Sequence, residues 1–190
     1  MAFSTSELPL GTVAPNFALL DTVSDRLVSL HDVASKKATV IMFMSNHCPQ
    51  VQHVLPKLIS IAREYRQQEV NFVAINANDA ESFPEDGPQQ MKALARELNF
   101  PFPYLYDQTQ QVARTFHAVC TPEFYVFDRN MRLAYHGQFD SSRPKTAQPI
   151  TGQDLTQALE ELLAGQAVSH EQKPGVGCGI KWKGQSRMAG

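Results

Sequence analysis

Only three of the 190 residues are cysteine, at positions 48, 120 and 178. Three is too few, and the wrong parity, for the disulfide framework of a small secreted domain. No two of them are spaced Cys-x-x-Cys, which excludes a zinc knuckle and a dithiol motif within one helical turn. Long apolar runs are missing as well. The longest, Val40 to Met44, falls far short of the ~20 residues that a membrane-spanning helix needs. The opening, Met1-Ala2-Phe3-Ser4-Thr5-Ser6-Glu7, has no basic region followed by an apolar stretch, so no secretory signal is read and a cytoplasmic location is expected. Charge of one sign is absent: 17 Lys and Arg stand against 19 Asp and Glu, with no basic stripe to suggest nucleic acid. With 43% hydrophobic and 19% charged residues, the chain has the composition of a soluble globular domain. At this length about 70% of the unfolded surface can be buried, so the core needs no staples.

What is present is a strong alternation of strand and helix patterns. Residues 1–15 read as an arm with Pro9, Gly11 and Pro15. Phe17, Leu19 and Leu20, then Leu27, Val28 and Leu30, flank a turn at Ser24-Asp25 and predict a hairpin. Residues 38–44 form a continuous apolar run, as a strand buried on both faces requires. Val51, Val54, Leu55, Leu58, Ile61, Ala62 and Tyr65 then fall on one face of a helix, with Pro49 at its first position and Pro56 kinking its interior. Val70 to Ile75 is a second apolar strand. The loop after it carries Asp79, Glu81, Glu85 and Asp86 and reads as solvated surface. Pro88 opens a helix with Met91, Leu94, Ala95 and Leu98 inward. Tyr104 to Tyr106 is a short strand, Gln108 to Phe116 a short helix and Phe124 to Phe127 a further strand. Met131, Leu133 and Tyr135 alternate with polar or small residues as its half-exposed hairpin partner. Thr151 to Asp154 resembles a capping box before a last helix with Leu155, Ala158, Leu159, Leu162 and Leu163 inward. The order predicts an α/β sandwich around a mixed sheet. The division expected is a domain over 1–164 and a glycine-rich extension over 165–190. The extension bears Cys178, the sole tryptophan Trp182, and Lys173, Lys181, Lys183 and Arg187.

Cys48 is the most informative residue. It lies where the apolar strand runs through Ser45-Asn46-His47 into a helix, and unpaired N–H groups at a helix start favour a thiolate. Thr121-Pro122 precedes a later strand. The element order, Cys48, Pro56 eight residues on and Pro122 together resemble the thioredoxin-like superfamily. Ala14-Pro15-Asn16-Phe17-Ala18-Leu19 is similar to the opening of its redoxin branch, which holds peroxiredoxins of the AhpC/TSA type. Asn46-His47-Cys48-Pro49 and Gly177-Cys178-Gly179-Ile180-Lys181-Trp182-Lys183 resemble a peroxiredoxin-like subgroup of that branch. The resemblance implies a thioredoxin-like fold with an N-terminal hairpin and a C-terminal extension, and a cis-proline at Pro122 beside the thiol.

The departures bear on the chemistry. The second cysteine of a thioredoxin motif is replaced by Val51, so a mixed disulfide on Cys48 cannot be resolved within the motif. Ser45 matches the hydroxyl slot of the peroxiredoxin pattern, but its proline slot holds Ile41, and Pro122 stands about where peroxiredoxins place an arginine. A resolving thiol is therefore expected from Cys178, on a tail that glycines let bend and lysines make reactive, from Cys120, equally readable as a core thiol, or from an outside thiol. His47 either aids Cys48 as a cation or proton shuttle, or is simply an exposed histidine. Ser45 and Asn46 either cap the helix or position substrate, and His53 reads as a helix-surface histidine. Arg143-Pro144 receives no role.

The function expected is a thiol oxidoreductase. Cys48 attacks a disulfide or a peroxide, Cys178 or Cys120 resolves, and Ser45, Asn46, His47, Thr121 and Pro122 support them. Its partners are protein or small-molecule thiols and disulfides, and peroxides, with no cofactor. A redox sensor or binding module is the alternative. Metal binding by His47, Cys48 and His53 is disfavoured, because these spacings do not stack on one helix face.

Overall fold

The computed structural model describes residues 8–185; Arg187 and residues 1–7 of the N-terminal arm lie outside the described residues. A hairpin of β1 (Ala18–Asp21) and β2 (Arg26–Ser29) opens the fold and is followed by a single turn, α1 (Leu30–Val33). That turn was not legible as a helix. Its four residues are held by a capping box in which Ser29 and Asp32 bond reciprocally.

β3 (Ala38–Phe43), α2 (Pro49–Arg66) and β4 (Val70–Asn76) form a βαβ unit, with β3 and β4 parallel. A 3-10 turn at Pro84–Asp86 leads into α3 (Pro88–Glu97), and β5 (Tyr104–Tyr106) joins β4 in parallel. The short helix α4 is confined to Gln111–Thr115, beginning after Gln110, which sits in the left-handed region. β6 (Cys120–Thr121) and β7 (Glu123–Asp128) flank Pro122, and β8 (Leu133–Gly137) returns antiparallel to β7. α5 (Gln153–Leu163) and β9 (Cys178–Gly179) complete the order. The main sheet runs β2-β1-β5-β4-β3-β7-β8, mixed as expected, and β6 with β9 makes a separate two-stranded ladder.

Both faces of β3 are buried, which explains its unbroken apolar sequence. Val40 and Met42 point to a core shared with α2 and α5, where Val51, Val54, Leu55, Leu58, Leu155 and Leu159 meet them. Ile41 and Phe43 point to the other core, with Phe17, Phe116 and Tyr125. The arm does not stand free: Val13 bridges Arg132, and the Gly11 N–H donates to the Leu133 carbonyl at 2.7 Å.

Three sequence expectations are corrected. β8 begins at Leu133, because Met131 lies at φ 55°, in the turn out of β7. It is also largely buried rather than half-exposed: Gln138 N–H donates to the Lys173 carbonyl, and the Gln172 side chain accepts from His136 N–H, so the C-terminal segment covers it. No capping box starts α5. The N-cap is Gly152 at φ 69°, and the carboxylate of Asp140 receives the N–H groups of Thr151 and Gly152 at 2.8 and 2.7 Å.

Candidate active site

Cys48 is the N-cap of α2, fully buried, with Pro49 at the first helical position. Its Sγ lies 3.2 Å from the Thr121 carbonyl, which a Cys48 thiol meets as donor, and 2.7 Å from the Sγ of Cys178. Both cysteines are free thiols. The contact with the Cys178 thiol is the largest influence on Cys48 and drives its pKa down, against the opposing effect of burial; the Val51 N–H in the first turn, the Thr121 hydroxyl and the Cys178 N–H add to it, and the result is about 5. The same bond and burial raise Cys178 far above an ordinary thiol, with Lys181 opposing. The contact between the two sulfurs therefore favours the thiolate on Cys48 and the thiol on Cys178.

The tail reaches Cys48 by docking, and its glycines serve close contact rather than bending. β9 pairs antiparallel with β6, setting Cys178 opposite Thr121 and Gly179 opposite Cys120. A Cβ on Gly177 would fall 1.8 Å from the Thr121 carbonyl oxygen, and one on Gly175 would lie 3.4 Å from the Cys120 sulfur. Beyond them, Ile180 N–H donates to Val119, Lys181 N–H to the Asn78 side chain and Lys183 N–H to Gln110. Trp182 packs against the second core beneath the Arg114 guanidinium, 4.5 Å from its ring centre. Of the lysines near the tail cysteine, Lys181 acts to lower the Cys178 pKa as expected, though the contact with Cys48 and burial outweigh it, while Lys173 pairs with Asp154 at 3.5 Å.

Cys120 is buried beside Glu123, its Sγ 4.0 Å from a carboxylate oxygen, and burial together with that charge pushes its thiol up. Glu123 also receives the Val119 N–H and pairs with buried His136 at 2.7 Å. The Thr121–Pro122 peptide bond is cis.

Ser45 and Asn46 do not cap α2: the N-cap is Cys48, and their side chains bond Thr121 and Tyr104 instead. Ser45 is fully buried, its hydroxyl 3.3 Å from that of Thr121. Asn46 accepts from the Tyr104 hydroxyl at 2.9 Å and gives its own N–H to Asp86 at 2.7 Å. His53 is not a plain surface histidine either: its Nε2 meets the Ser142 hydroxyl at 3.2 Å, and Arg143 braces the same loop through Gln138 at 2.5 Å. His47 turns the other way, to Asp86, and stacks on Phe83 with ring centres 5.3 Å apart.

Asp86 is the residue that sequence reasoning placed wrongly. Of the acidic loop, Glu81 and Glu85 are exposed, but Asp79 and Asp86 are buried. Asp86 receives His47 Nδ1, Asn46 N–H, Asn78 Nδ2 at 2.8 Å and Asn76 Nδ2 at 3.3 Å. Those donors hold its carboxyl below the usual range against the burial that alone would raise it. One signal was available: Asn76-Ala77-Asn78-Asp79 is an abrupt polar run at the end of an apolar strand, in line with the polar loop. A cavity of about 150 Å³ lined by Asp32, Ala62, Arg66 and Phe72 is not lined by either thiol.

Comparison with known proteins agrees with this architecture. The chain matches a conserved protein of Geobacillus kaustophilus, described as uncharacterised, at 51% identity over 96% of this chain and 97% of the other, with a TM-score of 0.93. A hypothetical protein of Sinorhizobium meliloti matches at 39% identity, over 96% and 100% of the two chains, with a TM-score of 0.91. A thiol:disulfide interchange protein of the thioredoxin family from Chlorobium tepidum shares the fold at 16% identity over 80% and 97%, with a TM-score of 0.62. No curated protein matches the chain. Among the described residues no helix is long and apolar enough to cross a membrane. The AhpC/TSA family model covers residues 10–136, which takes in β1 to β7, Cys48 and Pro122, and the chain belongs to the AhpC/TSA family.

Proposed function

We propose that the protein is a thiol oxidoreductase in which Cys48 is the nucleophile and Cys178 the resolving thiol. The observation that carries this reading is the 2.7 Å contact between the two sulfurs at the start of α2, which favours the thiolate on Cys48. A thiolate held near pKa 5 is both a ready nucleophile and a good leaving group. Cys48 attacks a disulfide RSSR, forming Cys48–S–S–R and expelling RS⁻, which takes a proton. Cys178 then gives up its proton and attacks the Cys48 sulfur; the Cys48–Cys178 disulfide forms and a second RSH departs. An outside dithiol returns the pair to the reduced state. Cys178 thus takes the place of the cysteine that Val51 replaces. Cys120, buried and held protonated beside Glu123, is the core thiol in this scheme.

A hydroperoxide is the second reading, favoured by the complete burial of Cys48 under the tail, which a small oxidant evades more readily than a polypeptide. Cys48 would become a sulfenic acid, and Cys178 would condense with it, releasing water.

Mild oxidation followed by non-reducing peptide mapping tests the reading. One Cys48–Cys178 disulfide is expected, lost in Cys178→Ser and retained in Cys120→Ser. A disulfide that joins Cys48 to Cys120, or none at all, would overturn it. Parallel reactions with glutathione disulfide and hydrogen peroxide tell the two oxidants apart by which forms that bond faster.

A further inference from the structure

We propose that Asp86 is a positioning residue that fixes His47 as the proton donor to the group Cys48 expels; this rests on the thiol chemistry proposed above.

Asp86 is wholly buried, while His47 keeps 24% of its side chain exposed. The carboxylate engages only Nδ1 of the ring. Among the described residues no hydrogen bond is made by Nε2, and in the protonated ring that nitrogen carries an N–H on the residue preceding the reacting thiol in sequence. Phe83 lies flat on the ring, 5° from parallel, and removes its freedom to rotate. Asn76 and Asn78 hold the carboxylate from the far side, and Tyr104 holds Asn46, the residue preceding His47. A buried carboxylate with four donors is a built feature, because burying it without them would be costly.

The charged groups facing His47 come from each neighbouring element. Asp86 and Glu85 lie in the 3-10 turn and Lys181 in the tail; the hydrogen bond to Asp86 dominates and raises the His47 pKa, with burial and Lys181 opposing. The bond to Asp86 thus favours the protonated ring, the form in which Nε2 carries a proton to give. When Cys48 displaces a thiolate from RSSR, the S–S bond of the substrate breaks, the new bond forms at Cys48, and RS⁻ takes the Nε2 proton to leave as RSH. Solvent reprotonates the exposed ring. A hydroperoxide follows the same course: the O–O bond breaks and the alkoxide or hydroxide leaves with that proton.

Asn78 gives the arrangement a second consequence. It donates to Asp86 at 2.8 Å and accepts the Lys181 N–H at 2.9 Å, so the clamp on His47 and the docking of the tail share one side chain.

The test is the pH profile of Cys48–Cys178 disulfide formation in full-length protein with glutathione disulfide and with hydrogen peroxide, beside the 15N NMR titration of His47. In Asp86→Asn the His47 midpoint and the alkaline limb of the rate should move down together by about one pH unit, with the rate at pH 7.5 reduced ~10-fold. Should Asp86→Asn not fold, His47→Gln serves: it should lose the alkaline limb and leave the Cys48 limb in place. An unchanged profile in whichever variant folds overturns the proposal. If the wild type forms no Cys48–Cys178 disulfide, the proposed function fails instead, and the His47 titration still reports the clamp.

Discussion

Cys48 and Cys178 differ in what the fold does to each thiol, although both are cysteines in contact. Cys48 has the helix start and the Cys178 proton to support negative charge; Cys178 has a neighbouring thiolate and burial against it. Thiolate absorbance at 240 nm should therefore show one group titrating near pH 5 in the reduced protein, absent in Cys48→Ser. In Cys178→Ala the transition should move upward, since the Cys178 bond that it removes is the largest lowering influence. Stability follows with opposite signs. Cys48 is depressed from 9.0, so its contribution is fully present above that value and is lost as pH falls through about 5. His47 is raised from 6.5, so its contribution is present below that value and lost as pH rises through the folded pKa. Urea melts between pH 5 and 8.5 should accordingly rise more steeply with pH in His47→Gln than in the wild type. A slope identical in both would show that the pair does not feel the fold as described.

At the level of elements, α2 was legible almost to its ends. Seven apolar residues on one face, Pro49 at the start and Cys48 before it specify a helix and place its N-terminus. α5 was legible in its buried face but not in its start, because Asp140 caps it from 12 residues away and no local pattern announces that bond. Gly152 shows the cost of that geometry. It sits at φ 69°, and an added Cβ would lie 2.5 Å from Ile61 and 2.7 Å from Phe139. Gly152→Ala should lose about 1–3 kcal/mol in urea unfolding, from strain and overpacking together. The tail glycines were read as hinges and are contact residues. Gly177→Ala places a methyl group on the Thr121 carbonyl. It should undock β9 and slow disulfide formation at least about tenfold, by lowering the effective concentration of Cys178 at Cys48. Its melting temperature should change less than that of Gly152→Ala, since β9 is only two residues long.

The whole molecule joins three stretches of chain at one point: the β3–α2 turn, the loop after β4 and the C-terminal tail. The sheet makes the first two neighbours, because parallel pairing of β3 and β4 brings their C-terminal ends together, where open α/β sheets present their sites. The tail is brought in by β6, Asn78 and Gln110. Ending the chain after residue 164 should therefore uncover Cys48, which is now fully buried. Its alkylation by iodoacetamide should accelerate, and the buried Glu123–His136 pair, now covered by the tail at Gly175 and Gln172, should meet water with a fall in melting temperature. Unchanged alkylation would mean the tail does not guard the thiol.

The sequence by itself determined the thioredoxin-like fold, the mixed sheet, the place of Cys48 at a helix start and the lack of a partner at Val51. The first is implied by the resemblance to the thioredoxin-like superfamily, and the others rest on local periodicity or on a residue type at a fixed offset. Only the tertiary structure decided that Cys178 meets Cys48, that Cys120 sits against Glu123, and that Asp86 lies beneath His47 rather than in solvent. Those contacts join residues 130, 3 and 39 positions apart. Two of the three span long loops whose closure no pattern along the chain encodes, and even the short one depends on the tail that buries it. Asp86 makes the point most plainly: an acidic residue in a polar loop reads as solvated, and it is buried because Asn46 and His47 from one stretch of chain and Asn76 and Asn78 from another converge on it as donors.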